Sequence, residues 1–119
     1  MTESSENYLE TILILSQSMP VVRAVNLAKH LYVKQSSVSV AVHQLQDAGY
    51  ILISEEGFLS LTDEGREIAE KIYERHKNIS QWLESIGVPP DIAVKDACRI
   101  EHVISTESFE AIKKFICKN

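Results

Sequence analysis

A chain of 119 residues, 45% of them hydrophobic and 24% charged, is long enough for one compact unit or two small, closely packed halves. A net charge of −5 argues against a protein that coats nucleic acid by electrostatics alone, and no apolar run approaches the roughly 20 residues that cross a bilayer. The start, MTESSENYLE, lacks the basic-then-apolar order of a secretory signal, and Cys98 and Cys117 are too few for a disulfide framework, so a cytoplasmic protein with reduced thiols is expected.

In chain order, Tyr8, Ile12 and Leu15 with Leu9 and Leu13 recur at helical spacing from about Glu6 to Gln17, leaving Asn7 and Glu10 together on the flank. After Pro20, Val25 to Tyr32 reads as a short helix with Leu27, Ala28 and Leu31 inward. A break near Val33-Lys34 follows, then a helix from about Gln35 to Ala48 carrying Val38, Val42 and Leu45 inward and ended by Gly49. Two short helices joined by a tight turn form a helix-turn-helix pattern. The runs YILISEE and FLSLT around Glu56-Gly57 read as a β-hairpin, the wing.

Thr62 can cap a helix running to about Ser85, with Asp63 and Glu64 complementing its dipole. Pro90 opens another helix, Asp91 to about Ile104, and Ser105 or Thr106 can cap a last one reaching Ile116. The expected fold is therefore mostly α with a small β-hairpin: a winged helix-turn-helix over 1–62, followed by a helical domain over 63–119.

The exposed face of the third helix offers Gln35, Ser36, Ser37, Ser39, Val40, His43 and Gln44, with Lys34 at its entrance. Ser, Gln and Lys can bond base edges and phosphates, Val40 can touch a thymine methyl, and a helix N-terminus favours phosphate. An ordinary polar helix face would look the same, but the helix-turn-helix and wing in sequence favour DNA. Residues 1–50 hold four acidic against three basic residues, and the remainder thirteen against nine, so a locally neutral DNA face is compatible with the acidic total.

Cys98, Glu101 and His102 stand at i, i+3 and i+4, a spacing that projects all three from one side of a helix within reach of one ion. A thiolate, a carboxylate and an imidazole suit a transition ion better than Ca(II) or Mg(II). The bland alternative is a half-buried Cys beside a surface Glu and His. His76 interrupts the stripe Ile68, Ala69, Ile72, Ile79, Leu83, Ile86 where an apolar residue is due, as a core histidine or a metal ligand would. Asn7 and Glu10 form a third candidate pair.

The phrases YLETILIL, QSSVSVAVHQLQDAGYI, ERHKNISQWLESIGV and DACRIEHVIS, in this order across residues 6 to 116, resemble the diphtheria toxin repressor family, which includes the manganese-transport regulators. The resemblance implies a dimeric, metal-activated repressor in which the ion joins the N-terminal helix to the helical domain and sets two recognition helices on a palindromic operator. It implies metal ligands at His76, Cys98, Glu101 and His102, with Glu10 matching a ligand of the manganese branch. Cys98 looks like the iron branch, so Fe(II) is the expected ion, with Mn(II) the runner-up. Asn7 replaces the Met or Asp typical of the N-terminal helix, and Ser80 and Val94 stand where the iron branch has ancillary ligands, which leaves one site, or one rebuilt with Glu10. The chain ends without the SH3-like domain that some members append.

The expected partners are double-stranded DNA and a second copy of the chain. Apolar residues along the last two helices (Ala93, Ala97, Ile100, Ile104, Phe109, Ile112, Phe115, Ile116) supply a surface for that second copy, and two-fold symmetry would space the recognition helices about 34 Å apart. No membrane and no small-molecule substrate are expected. A metalloenzyme using Glu101 as base is the rival from another class, but no HExxH, nucleophile elbow or Gly-rich phosphate loop supports it. A winged-helix regulator with a redox effector at Cys98 or a small-molecule effector, and a winged-helix protein-interaction module, complete the alternatives.

Overall fold

The structure, a computed structural model, describes residues 1–118; Asn119, the last residue of the expected second half, lies outside the described residues. The element order is α1 Glu3–Ser16, α2 Ala24–Leu31, α3 Gln35–Asp47, β1 Ile51–Ile53, β2 Leu59–Leu61, α4 Asp63–Ser85, α5 Pro90–Ile100 and α6 Thr106–Lys118. Two compact units emerge, Met1–Glu70 and Lys71–Asn119.

In the first unit, α1 starts three residues earlier than its apolar spacing suggests, because Thr2 caps it by accepting the Ser5 N–H at 3.1 Å and Glu3 and Glu6 favour the positive end of the helix dipole. Its buried face carries Tyr8, Leu9, Ile12 and Leu13, which pack with Leu27 and Ala28 of α2 and Val38, Val42 and Leu45 of α3 into one core. Burying a side chain such as Leu27 contributes roughly 1.5–3 kcal/mol. Helix α2 stops at Tyr32, whose left-handed backbone (φ 56°) lets Val33 N–H reach the Ala28 carbonyl at 3.1 Å and turns the chain into α3. Helix α3 ends at Gly49 (φ 87°), where Tyr50 N–H donates to the Leu45 carbonyl at 3.0 Å.

Strands β1 and β2 pair antiparallel in the register Ile51 to Leu61, Leu52 to Ser60 and Ile53 to Leu59. Leu59 N–H also donates to the Val22 carbonyl at 2.7 Å, so the wing is stitched to the segment that precedes α2. The hairpin joins α4 through Thr62. Its hydroxyl donates to the Gly49 carbonyl at 2.8 Å and accepts the Gly65 N–H at 3.1 Å, capping the helix while anchoring it to the end of α3. Gly65 has no alternative at this crossing: a Cβ there would lie 1.9 Å from the Tyr50 carbonyl oxygen.

In the second unit, Ile79 of α4, Ala97 of α5 and Phe109 of α6 form the core, with Leu83, Ile100 and Ile104 packed around it. Ala97 and Phe109, expected to serve a dimer surface, are spent in this core and Ala93 is buried, whereas Phe115 is exposed and Ile100, Ile104, Ile112 and Ile116 are half-buried. Ile86, expected inward, is exposed beyond the end of the α4 stripe. Helix α5 stops at Ile100 rather than near Ile104. Glu101 is its C-cap, and residues 101–103 form a turn leading to Ser105, whose hydroxyl caps α6 by accepting the Ser108 N–H at 3.1 Å. No helix among the described residues is long and apolar enough to cross a membrane.

Candidate metal centre and nucleic-acid interface

Helix α3 has no cation along its length and no side-chain N-cap, so its first N–H groups face outward beside Lys34. Lys34, Gln35, Ser36, Ser37, Ser39, Val40, His43 and Gln44 are all exposed, while Val38, Val42 and Leu45 hold the opposite side in the core. One element thus carries every candidate DNA residue on its free side. His43 Nδ1 lies 2.7 Å from the Ser39 carbonyl; as the protonated nitrogen it donates there, which leaves Nε2 to face outward. Hydroxyls, amides and one imidazole make up the polar part of this face.

The wing ends in an acidic turn. Ser54 N–H donates to the Phe58 carbonyl, and Phe58 N–H to the Ser54 hydroxyl, both at 3.0 Å, while the Arg23 guanidinium sits 4.7 Å from the Phe58 ring centre. A backbone N–H and the Ser54 hydroxyl, with a smaller contribution from the Arg23 charge, hold the Glu56 carboxyl below its ordinary range.

In the second unit the carboxylate of Glu101 is 0% exposed and stands between two imidazoles: His76 Nδ1 lies 2.9 Å from its Oε2 and His102 Nε2 lies 3.4 Å from its Oε1. The His102 side chain is fully buried and that of His76 is 21% exposed. Because α5 ends at Ile100, Glu101 and His102 converge from the turn after the helix rather than from a continuous helix face. A carboxylate taken out of water needs partners: His76 Nδ1 is within hydrogen-bond distance of Oε2, while Oε1, with His102 Nε2 at 3.4 Å, makes no hydrogen bond among the described residues and is open to a cation. Two imidazoles and a carboxylate are a donor set of the transition-metal type, so the residues present fit a divalent ion.

Of the remaining candidates, Cys98 is half-buried on α5, three residues before Glu101. On α1 of the first unit, Glu10 is buried and Asn7 half-buried, with the Asn7 carbonyl accepting the Thr11 hydroxyl at 2.8 Å. Ser80 is buried on α4 and Val94 is exposed on α5.

Sequence reading passed over Arg75 as a functional residue. It is 8% exposed, and its Nη1 donates to the carbonyls of Glu101 at 3.2 Å and Ile104 at 3.1 Å, while Nη2 reaches the Thr106 hydroxyl at 3.4 Å. The guanidinium lies 5.4 Å from the Phe109 ring centre. A signal was present: Arg75 stands three residues after Ile72 and four before Ile79, both buried, so it interrupts the apolar stripe and is more buried than the neighbouring His76.

Comparison with known proteins matches both halves to one family. Residues 1–57 fit the N-terminal DNA binding domain of the iron dependent repressors, and residues 62–118 fit their metal binding and dimerisation domain. The chain is 35% identical to an uncharacterized HTH-type transcriptional regulator of Methanocaldococcus jannaschii, over 99% of this chain and 96% of that one. It is 32% identical to the transcriptional regulator MntR of Escherichia coli O6:H1, over 98% of this chain and 76% of that protein. Among solved structures it resembles a manganese-dependent transcriptional repressor in complex with manganese (TM-score 0.85, 26% identity), covering 92% of this chain and 51% of that one. The chain thus spans about half the length of that solved repressor.

Proposed function

The chain belongs to the iron-dependent repressor family of metal-dependent transcriptional regulators, and from that premise we propose that it represses transcription when a divalent metal ion is bound, as a homodimer on a palindromic operator. The observation that carries this reading is the fully buried Glu101 carboxylate flanked by His76 and His102, within the half that matches the family's metal-binding domain. Residues 1–62 bind DNA through Lys34, Gln35, Ser36, Ser37, Ser39, Val40, His43 and Gln44, and residues 63–119 bind metal and dimerise.

His76, Glu101 and His102 hold the ion, with Cys98 as a further donor on the preceding turn and Glu10 and Asn7 as donors from α1 by resemblance. When bound, the ion supplies the differential contacts that select the DNA-competent shape; moving a mostly inactive population to a mostly active one needs about 5 kcal/mol. The protein has no catalytic role and works in the cytoplasm, a reading supported by relatives named as transcriptional regulators. The Cys98 thiol favours Fe(II), while the solved manganese-dependent repressor supports Mn(II).

Calorimetric titration of the metal-free protein with Mn(II), and with Fe(II) under anoxic conditions, tests the site in the wild type, His102→Ala and Cys98→Ala. Tight binding lost in His102→Ala supports the centre. A Cys98→Ala variant that loses Fe(II) but keeps Mn(II) assigns the thiolate to iron. Absence of binding for both ions in the wild type removes metal control and leaves a winged-helix regulator with a different effector. Affinity should also weaken at acid pH, because imidazole and thiol lose their protons on binding.

A further inference from the structure

Arg75 and His76 are consecutive on α4, and both reach Glu101, by different routes. His76 meets the side chain at 2.9 Å, whereas Arg75 meets the backbone carbonyl at 3.2 Å. The last turn of a helix leaves carbonyls without intrahelical donors, and α5 ends with Glu101 as its cap. Within the planar guanidinium Nη1 donates to the carbonyls of both Glu101 and Ile104 while Nη2 reaches Thr106, so one side chain fixes the turn from which Glu101 and His102 project. A buried arginine near a buried glutamate would ordinarily pair with its carboxylate, placing a positive charge where a cation would bind. Here the hydrogen bonds of Arg75 go to carbonyl and hydroxyl oxygens, and the carboxylate of Glu101 is turned to the histidines. The Thr106 hydroxyl and the Phe109 ring hold the guanidinium from α6.

We propose that Arg75 is a positioning residue for the metal centre: by clamping the Glu101–Ile104 turn it aims the Glu101 carboxylate and the His102 imidazole at the ion without competing for the carboxylate. This rests on the metal-binding reading above. Arg75→Lys keeps the charge but, with a shorter side chain, withdraws the nitrogen from the position where Nη1 reaches both carbonyls and drops the Nη2 contact to Thr106, and Arg75→Met removes charge and bonds together. Loss of a group that orients a ligand typically weakens metal affinity by about 10–100-fold, so the expected order of Mn(II) dissociation constants is wild type, then Arg75→Lys about 10-fold weaker, then Arg75→Met about 100-fold weaker.

The control is Phe109→Leu, which loosens packing against the guanidinium and lowers the melting temperature of the metal-free protein while leaving both carbonyl bonds available. Mn(II) titration calorimetry and metal-free melting curves on the four proteins separate the cases. Affinity lost in Arg75→Lys beyond that in Phe109→Leu, at comparable loss of melting temperature, supports positioning; this comparison stands even where Arg75→Met fails to fold. Arg75→Lys within twofold of wild type, or affinity that follows melting temperature equally in both variants, overturns it. A wild type that binds no Mn(II) overturns the metal-binding reading itself and this inference with it.

Discussion

In the first unit the polar side chains proposed to contact DNA, from Lys34 to Gln44, lie at the surface while the core beneath α3 is Val38, Val42 and Leu45. In the second, the polar groups proposed to work are inside: Arg75 and Glu101 are buried, and so is the His102 side chain. An exposed amide or hydroxyl costs little when no partner is present, because water serves it; a buried carboxylate or guanidinium must be matched within the protein or by a ligand. The surface suits a partner that comes and goes as a large rigid body, and the interior suits an ion that completes a set of donors. One unit reads and the other decides.

The largest effect that would break this contrast is at Glu101. Glu101→Ala should weaken Mn(II) binding by about 100-fold or more by calorimetry, since losing a donor exceeds the loss expected from an orienting neighbour. DNA affinity measured without metal should stay within a few-fold; retention of Mn(II) affinity would mean that the buried carboxylate is structural only.

Next is Gly65→Ala, where the added methyl meets the Tyr50 carbonyl. A cost of about 1–3 kcal/mol or more, seen as a lowered urea midpoint, should accompany unchanged Mn(II) stoichiometry in the folded protein. A smaller third effect belongs to the reading face. Gln35→Ala or Ser36→Ala should cost about 1–3 kcal/mol on the preferred duplex in fluorescence anisotropy, without altering metal affinity. On the same probe Lys34→Gln should reduce the slope of log K against log salt by about one. That slope should be shallow from the outset, because residues 1–70 carry ten acidic and only four basic side chains.

The smallest effect is acid-side. Glu56 has a folded-state pKa below its unfolded value through a backbone N–H and the Ser54 hydroxyl, so its contribution is present above the unfolded pKa and fades as pH falls through the folded one. Glu56→Gln should flatten that acid-side part of the stability profile, below the ordinary carboxylate range, in denaturant titrations, leaving neutral-pH stability of the metal unit untouched.

The order of elements was legible in the sequence because each carries its own local signal: Thr62 and Ser105 as caps, Gly49 as a stop, and alternation in the wing. His76 and the Glu101-His102 pair were legible as chemistry in unusual places. The early end of α5 was not, since Val103 and Ile104 continue an apolar pattern and only the Arg75 bonds to the carbonyls of Glu101 and Ile104 reveal the turn. Nor was the inward use of Ala97 and Phe109, because an apolar stripe states that it will be covered and not by what. Arg75 itself was hidden by its charge, which argues for surface until tertiary partners are seen.

Tyr32 is the one non-glycine residue with positive φ among the described residues, and it is 94% exposed. The left-handed conformation costs an ordinary residue about 1–2 kcal/mol, and nothing in the folded unit covers the phenol in return. The connection between the two helices of the reading motif is therefore held under tension by the rest of the unit. For an engineer this is a stability reserve: glycine or asparagine at this position would relax the turn without disturbing a single packed side chain.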